Sequence, residues 1–229
     1  MRLPFWHRSA TSPDPFAHLD PQGPEGVVMR GHRDYVGGLW EEIGQLQLDF
    51  LRSQGLKPHQ VLLDIACGSL RLGVKVIPYL EPGHYLGVEK EQSLLDAGLE
   101  QELGPELFAS HRPQLLCSDS FAFERLGVPV DMAIAQSLFT HLPPALIERC
   151  LVKLHPWLKE DGVFFATFFE VDVPLDNPDQ PHDHGYFAYT KAEMIAFGEK
   201  HGYQVSYVGH WGHPRGQVMV AYRHQPLRS

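Results

Sequence analysis

Three acidic residues and one tight turn carry most of the chemistry that this chain advertises. The segment VLLDIACGSLRLG, residues 61–73, ends an apolar run in Asp64 and enters the turn Ala66-Cys67-Gly68-Ser69-Leu70, built around a single glycine. Such a turn exposes peptide groups and the positive end of the helix behind it. A small residue at 66 and no side chain at 68 let a ligand approach the backbone. Glu89 follows Asp64 by 25 residues, the usual separation between a glycine turn and the acid that accepts from ribose hydroxyls in nucleoside-cofactor sites. Asp119, in CSDSF, is placed to accept from an adenine amino group, with Ser120 and Phe121 flanking the ring.

These residues need a scaffold that brings strand ends together. Apolar Leu39, Trp40, Ile43, Leu46, Phe50 and Leu51 recur at helical spacing, which predicts a helix over 34–54. The runs VLLDI, YLGVE, QLLCS, VDMAIAQ and VFFATFFE read as strands, with helices over about 71–79, 92–102, 143–158 and 191–202 between and after them. That alternation predicts an α/β, doubly wound, mostly parallel sheet of seven strands covered on both faces. Only WGHPRGQ separates the last two strands, YQVSYVGH and QVMVAYR, too short for a crossover, so they should form an antiparallel C-terminal hairpin. Residues 1–30 read as an N-terminal arm, 31–229 as a single domain, and the Pro-rich stretch 171–188 as a loop over the acceptor side.

LLDIACGSLRLG, YLGVE, CSDSF and VDMAIAQSLFTHLPP, in that order, resemble the successive motifs of the Rossmann-like S-adenosylmethionine-dependent methyltransferases. The resemblance spans roughly residues 56–223 and includes the terminal hairpin. HRDYVGGLWEEIGQLQLDFL and HWGHPRGQVMVAYR further resemble a bacterial subgroup often met beside sugar and polysaccharide genes. The resemblance implies S-adenosyl-L-methionine as cofactor. Asp64 and the backbone at Ala66, Cys67 and Gly68 would hold its methionine part, Glu89 the ribose, Asp119 the adenine with Ser120 and Phe121 flanking the ring, and Gln136 the methionine end or the substrate; Arg71 and Lys90 are further cofactor contacts. The departures are Ala66 and Leu70, where many relatives carry glycine. Because this cofactor has no pyrophosphate, those losses are expected to be tolerable, unless φ is positive there, at a cost of ~1 kcal/mol or more.

The implied reaction is metal-independent methyl transfer to a small-molecule or sugar acceptor, on oxygen in preference to nitrogen. Nucleobase enzymes of the class carry Asn/Asp-Pro-Pro-aromatic after the fourth strand, where this chain has AQSLF; Gln136 and Ser137 are poor magnesium ligands. Among 14 histidines, His141 at a helix entrance and His184 in the long loop are the candidates for a general base. Tyr35, Trp40, Tyr186, His213 and Arg215 are candidates for contact with the substrate, Arg215 as a clamp for carboxylate or phosphate. A non-catalytic sensor or partner subunit using the same fold is the alternative. A nicotinamide oxidoreductase is disfavoured by the missing G-x-G-x-x-G and Tyr-x-x-x-Lys patterns.

The bulk properties agree. The net charge of −9 offers no basic field for nucleic acid, and the longest apolar run is too short to span a membrane. Three scattered cysteines do not make a disulfide framework, so a cytoplasmic protein is expected.

Overall fold

The apolar runs LLDI and VDMAIA are buried along most of their length because they lie inside a sheet with helices on both sides. The computed structural model describes residue 18 and residues 21–225. In chain order these form α1 (Gly23–Arg30), α2 (His32–Tyr35), α3 (Trp40–Ser53), β1 (Leu62–Ile65), α4 (Gly73–Val76), β2 (Tyr85–Glu89), α5 (Gln92–Ala97), α6 (Gly104–His111), β3 (Gln114–Cys117), β4 (Val130–Ala135), α7 (Pro144–Leu154), β5 (Leu158–Glu170), β6 (Ala188–Tyr189), α8 (Lys191–Lys200), β7 (Tyr203–His210) and β8 (Val218–His224).

The strand order is β3-β2-β1-β4-β5-β8-β7, with the two-residue β6 pairing β5 off that path. β3, β2, β1, β4 and β5 are parallel. β8 is antiparallel to both of its neighbours, β5 and β7, so the expected hairpin inserts its second strand inside the sheet. Alternate residues feed two cores. Leu63, Ile65, Ala133 and Phe164 join α7 and α8 on one face, while Leu62, Met132, Ile134 and Phe165 join Phe50 and Leu51 of α3 on the other. The order reverses between β1 and β4, and there the carboxyl ends of parallel strands leave a crevice for a ligand.

Three sequence expectations need correction. The helix expected over 34–54 is broken: α2 stops at Tyr35, and α3 starts only at Trp40. Gly37 and Gly38 adopt φ of 96° and 61°, a left-handed region outside any right-handed helix, and the apolar periodicity beyond them hid the break. The arm expected over 1–30 is helical at Gly23–Arg30, with Pro24 in its first turn and Val27 buried; residues 1–17, 19 and 20 lie outside the described residues. The helix expected over 92–102 passes through a π-helical stretch, Gly98–Leu103, into α6.

Candidate functional site

The turn after β1 and the ends of β2 and β4 open into a cleft of about 660 Å³. Asp64 lines it, 3 % exposed, and accepts a hydrogen bond from the Tyr85 hydroxyl at 2.8 Å. Burial lifts its carboxyl to about 7, against the opposing pull of Tyr85 and of the Arg71 charge. Glu89 is a backbone organiser as well as a cleft residue. Its Oε2 accepts from the Gly68 N–H at 3.0 Å, and its Oε1 from Lys90 N–H at 2.8 Å and Glu91 N–H at 3.1 Å. Burial raises its pKa too, while those three N–H groups favour the ionised form. The side chain of Glu89 therefore ties β2 to the turn after β1.

Residues 66, 68 and 70 are all left-handed, at φ of 58°, 56° and 70°. The condition under which Ala66 and Leu70 become costly is thus met, at roughly 1–2 kcal/mol each for a left-handed L-residue. At Gly68 a Cβ would lie 2.9 Å from Val36 Cγ1, so a side chain there would require Val36 to move.

The opposite side of the cleft is a polar network. Arg71, 8 % exposed, donates to the carbonyls of Val36 (3.1 Å) and Gly38 (3.0 Å) and to Gln136 Oε1 (2.6 Å). Because arginine only donates, this orients the Gln136 amide, whose nitrogen then faces His213 Nε2 at 3.2 Å. The Arg215 backbone N–H reaches His213 Nδ1 at 3.2 Å, and the neutral ring, which carries one N–H itself, can accept from only one of these two neighbours. Burial, with the Arg71 and Arg215 charges, pushes His213 down to about 4. Beneath it the Thr167 hydroxyl accepts from Ser137 N–H and donates to Gln217 Oε1, both at 2.7 Å. Gln217 in turn donates to the Ser137 hydroxyl at 2.7 Å.

A third wall comes from the long loop before β6. Asp183 pairs with Lys90 and accepts from the Tyr35 hydroxyl, and its own N–H donates to Gln22 Oε1 at 3.0 Å. His141 and His184 line the same corner. His141 Nδ1 and His184 Nε2 are buried without a hydrogen-bond partner among the described residues. Burial pushes His141 down to about 4 and lowers His184, to which the Arg30 charge adds. The His184 ring meets Tyr35 edge-on at 4.9 Å.

Most residues anticipated from sequence converge here: Tyr35, Asp64, Ala66, Cys67, Gly68, Arg71, Glu89, Lys90, Asp119, Phe121, Gln136, His141, His184, His213 and Arg215 all line the cleft. Three do not. Trp40 is buried against His32 and beneath the Arg33 guanidinium, 4.9 Å away. Tyr186 stacks on the outside of Phe169 at 4.2 Å, and Ser120 is exposed beside Ser118. Sequence reading missed Asp183, Thr167, Gln217 and Gln47. Thr167 had a legible signal, as the one hydroxyl inside VFFATFFE, and Asp183 sits between two histidines in PHDHG. Gln47 is an isolated polar residue on the buried face of α3, and its Oε1 has no partner.

No protein-family model matches the chain. Solved structures do. The magnesium protoporphyrin IX methyltransferase of Synechocystis PCC 6803, solved with bound S-adenosylmethionine, is 12% identical and superposes with a TM-score of 0.62 over 90% of this chain and 100% of its own. The glycopeptide N-methyltransferase MtfA, complexed with S-adenosylmethionine, is 14% identical with a TM-score of 0.62 over 80% of this chain and 94% of its own. The CcbJ methyltransferase of Streptomyces caelestis is 13% identical with the same score over 80% and 90%. The fold is that of the Rossmann-like methyltransferases. Within it, the turn leading into β8, which lies between β5 and β7, carries His213, Arg215 and Gln217, so the antiparallel insertion builds one wall of the cleft.

Proposed function

We propose that the chain is a methyltransferase that uses S-adenosyl-L-methionine and methylates a small-molecule or sugar acceptor on oxygen, without a metal. The observation that carries this reading is the pair of buried acids, Asp64 and Glu89, on either side of a bare left-handed turn at the switch point of the sheet. The residues fit that cofactor. Glu89 is held rigid by three backbone N–H groups yet still lines the cleft, so a lone pair can serve a ribose hydroxyl. Glu91 and Asp64 add carboxyl groups to the cleft, and a cationic ligand beside Asp64 would favour its ionised form. Gln47 offers a desolvated acceptor with no partner among the described residues, which a donor on the ligand would satisfy.

When bound, the cofactor supplies a methyl group already activated by its sulfonium. The chain's own task is to hold the acceptor oxygen about 3 Å from that methyl and in line with the leaving sulfur, which is worth up to ~7–11 kcal/mol. His141 is the residue for the acceptor's proton. Its Nδ1 is unpartnered in a closed corner, and with a pKa near 4 the ring is neutral at physiological pH. His184 is the second candidate, on the same loop as the Asp183 contacts that close the corner. Isothermal titration with S-adenosylhomocysteine tests the reading: micromolar binding is expected, and the absence of heat would sink it. Transfer of a labelled methyl group to a small-molecule extract then separates an enzyme from a sensor.

A further inference from the structure

Asp64, Glu89, Glu91 and Asp119 line the cleft at the ends of the first three strands, with Lys90 beside them. Arg71, on the turn after β1, and Arg215, on the turn between β7 and β8, also line it and are brought together at residues 36–38. Burial disfavours a charged Arg71, the Asp64 carboxyl favours it, and the Arg215 charge disfavours it. The side-chain hydrogen bonds of both arginines go to neutral acceptors. Arg71 uses Gln136 and the carbonyls of Val36 and Gly38, and Arg215 uses the carbonyl of Gly37 at 2.5 Å. Among the described residues neither is ion-paired with an acid.

Three consecutive carbonyls, at residues 36, 37 and 38, are therefore turned onto two arginines by the glycine break between α2 and α3. This arrangement fixes both side chains without neutralising them. Two adjacent cations held in place by neutral dipoles, in a chain whose net charge is −9, make a site for an anion. Arg71 is buried beneath Gln136, but Arg215 is exposed at the mouth, on the turn leading into β8, two positions beyond β4 in the sheet and away from Glu89. Its single bond to Gly37 leaves the rest of its planar fork for a ligand.

We infer that Arg215, reinforced by Arg71, is an oxyanion subsite for the acceptor, so that the acceptor carries a carboxylate or phosphate group. This rests on the reading of the cleft as a methyl-transfer site. His213 lies between Gln136 and the Arg215 N–H and completes the subsite as a spacer, with burial and the two arginine charges disfavouring its charged form.

The test uses the full chain saturated with S-adenosylhomocysteine, with inorganic phosphate or sodium acetate titrated against chloride at constant ionic strength and melting temperature as the readout. A rise that saturates with phosphate or acetate is expected in the wild type and in Arg149→Gln, an exposed charge change on α7. In Arg215→Gln the concentration needed for half the rise should increase about tenfold, the scale of one lost charge-assisted bond. The stronger of the two anions indicates which group the acceptor bears. Two results would overturn the inference: an equal response in wild type and Arg215→Gln, including none in either, or a tenfold loss of S-adenosylhomocysteine affinity in Arg215→Gln, which would give the arginine to the cofactor. Should S-adenosylhomocysteine fail to bind the wild type, the methyl-transfer reading fails by itself, and the anion titration is still read on the ligand-free chain.

Discussion

The hydroxyl of Tyr35 and the carboxylate of Asp183, 148 residues apart in the chain, are hydrogen-bonded to each other at the cleft. Asp183 also takes Lys90 and the Gly23 N–H, so one carboxylate joins the N-terminal helices, the end of β2 and the long loop. Burial alone would raise its pKa, but Lys90 and Tyr35 outweigh that and hold it below its ordinary value. A depressed acid stabilises above its unfolded pKa and loses that contribution as pH falls through the folded value. The latch should therefore hold at neutral and mildly acidic pH. Asp183→Asn keeps the shape and removes the charge. It should speed S-adenosylhomocysteine release by about tenfold, in line with one charge-assisted contact, and raise amide exchange in 23–35 and 182–185. Stopped-flow release and hydrogen exchange check both.

Glu89→Gln should cost both binding and stability. The amide cannot accept at both ends, so at least one of the Gly68, Lys90 and Glu91 N–H groups loses its acceptor, at about 1–3 kcal/mol. A tenfold or greater loss of S-adenosylhomocysteine affinity by isothermal titration is expected together with that loss in thermal unfolding. Undiminished affinity would remove Glu89 from the cofactor site.

Ala66→Gly should stabilise the protein. Relief of the left-handed strain at φ 58° gains roughly 1–2 kcal/mol, and the greater freedom of glycine in the unfolded chain returns about 0.4–1 of it. A net gain of about 0.5–1 kcal/mol in denaturant unfolding is the expectation. Leu70→Gly at φ 70° should do the opposite, because Leu70 is fully buried and its removal leaves a cavity.

His141 gives a pH signature. Its ordinary pKa of 6.5 falls to about 4 in the folded protein, chiefly through burial. Between those values the unfolded chain binds the proton and the folded one does not, so the imidazole contributes stability above about 6.5 that is lost as pH falls to about 4. Asp64, lifted to about 7, works in the opposite sense over much of that window, because the folded state keeps its proton longer. The difference between wild type and His141→Asn isolates the imidazole: the variant should lose less stability between pH 6.5 and 4. Methyl transfer by the wild type should show no histidine limb near pH 6.5, and His141→Asn should lower kcat with little change in S-adenosylhomocysteine affinity.

What the chain determined by its own local pattern was the sequence of elements. Short apolar runs with β-branched and aromatic residues, separated by helical periodicities, leave few options besides a covered parallel sheet, and seven residues between the last strands force a hairpin. Acids at strand ends were legible for the same reason, because a strand's end is marked by where its apolar run stops. Asp64 and Glu89 were found in that way. Tertiary structure decided the rest. Gly37 and Gly38 fall inside the stretch expected as one helix, and only the fold shows that their carbonyls grip Arg215 and Arg71. Trp40 and Tyr186 had suitable chemistry, but burial against His32 and stacking on Phe169 turned them from the cleft. Asp183, Thr167 and Gln217 acquire their roles from partners 30 to 161 residues away, and no local pattern encodes a partner at that distance.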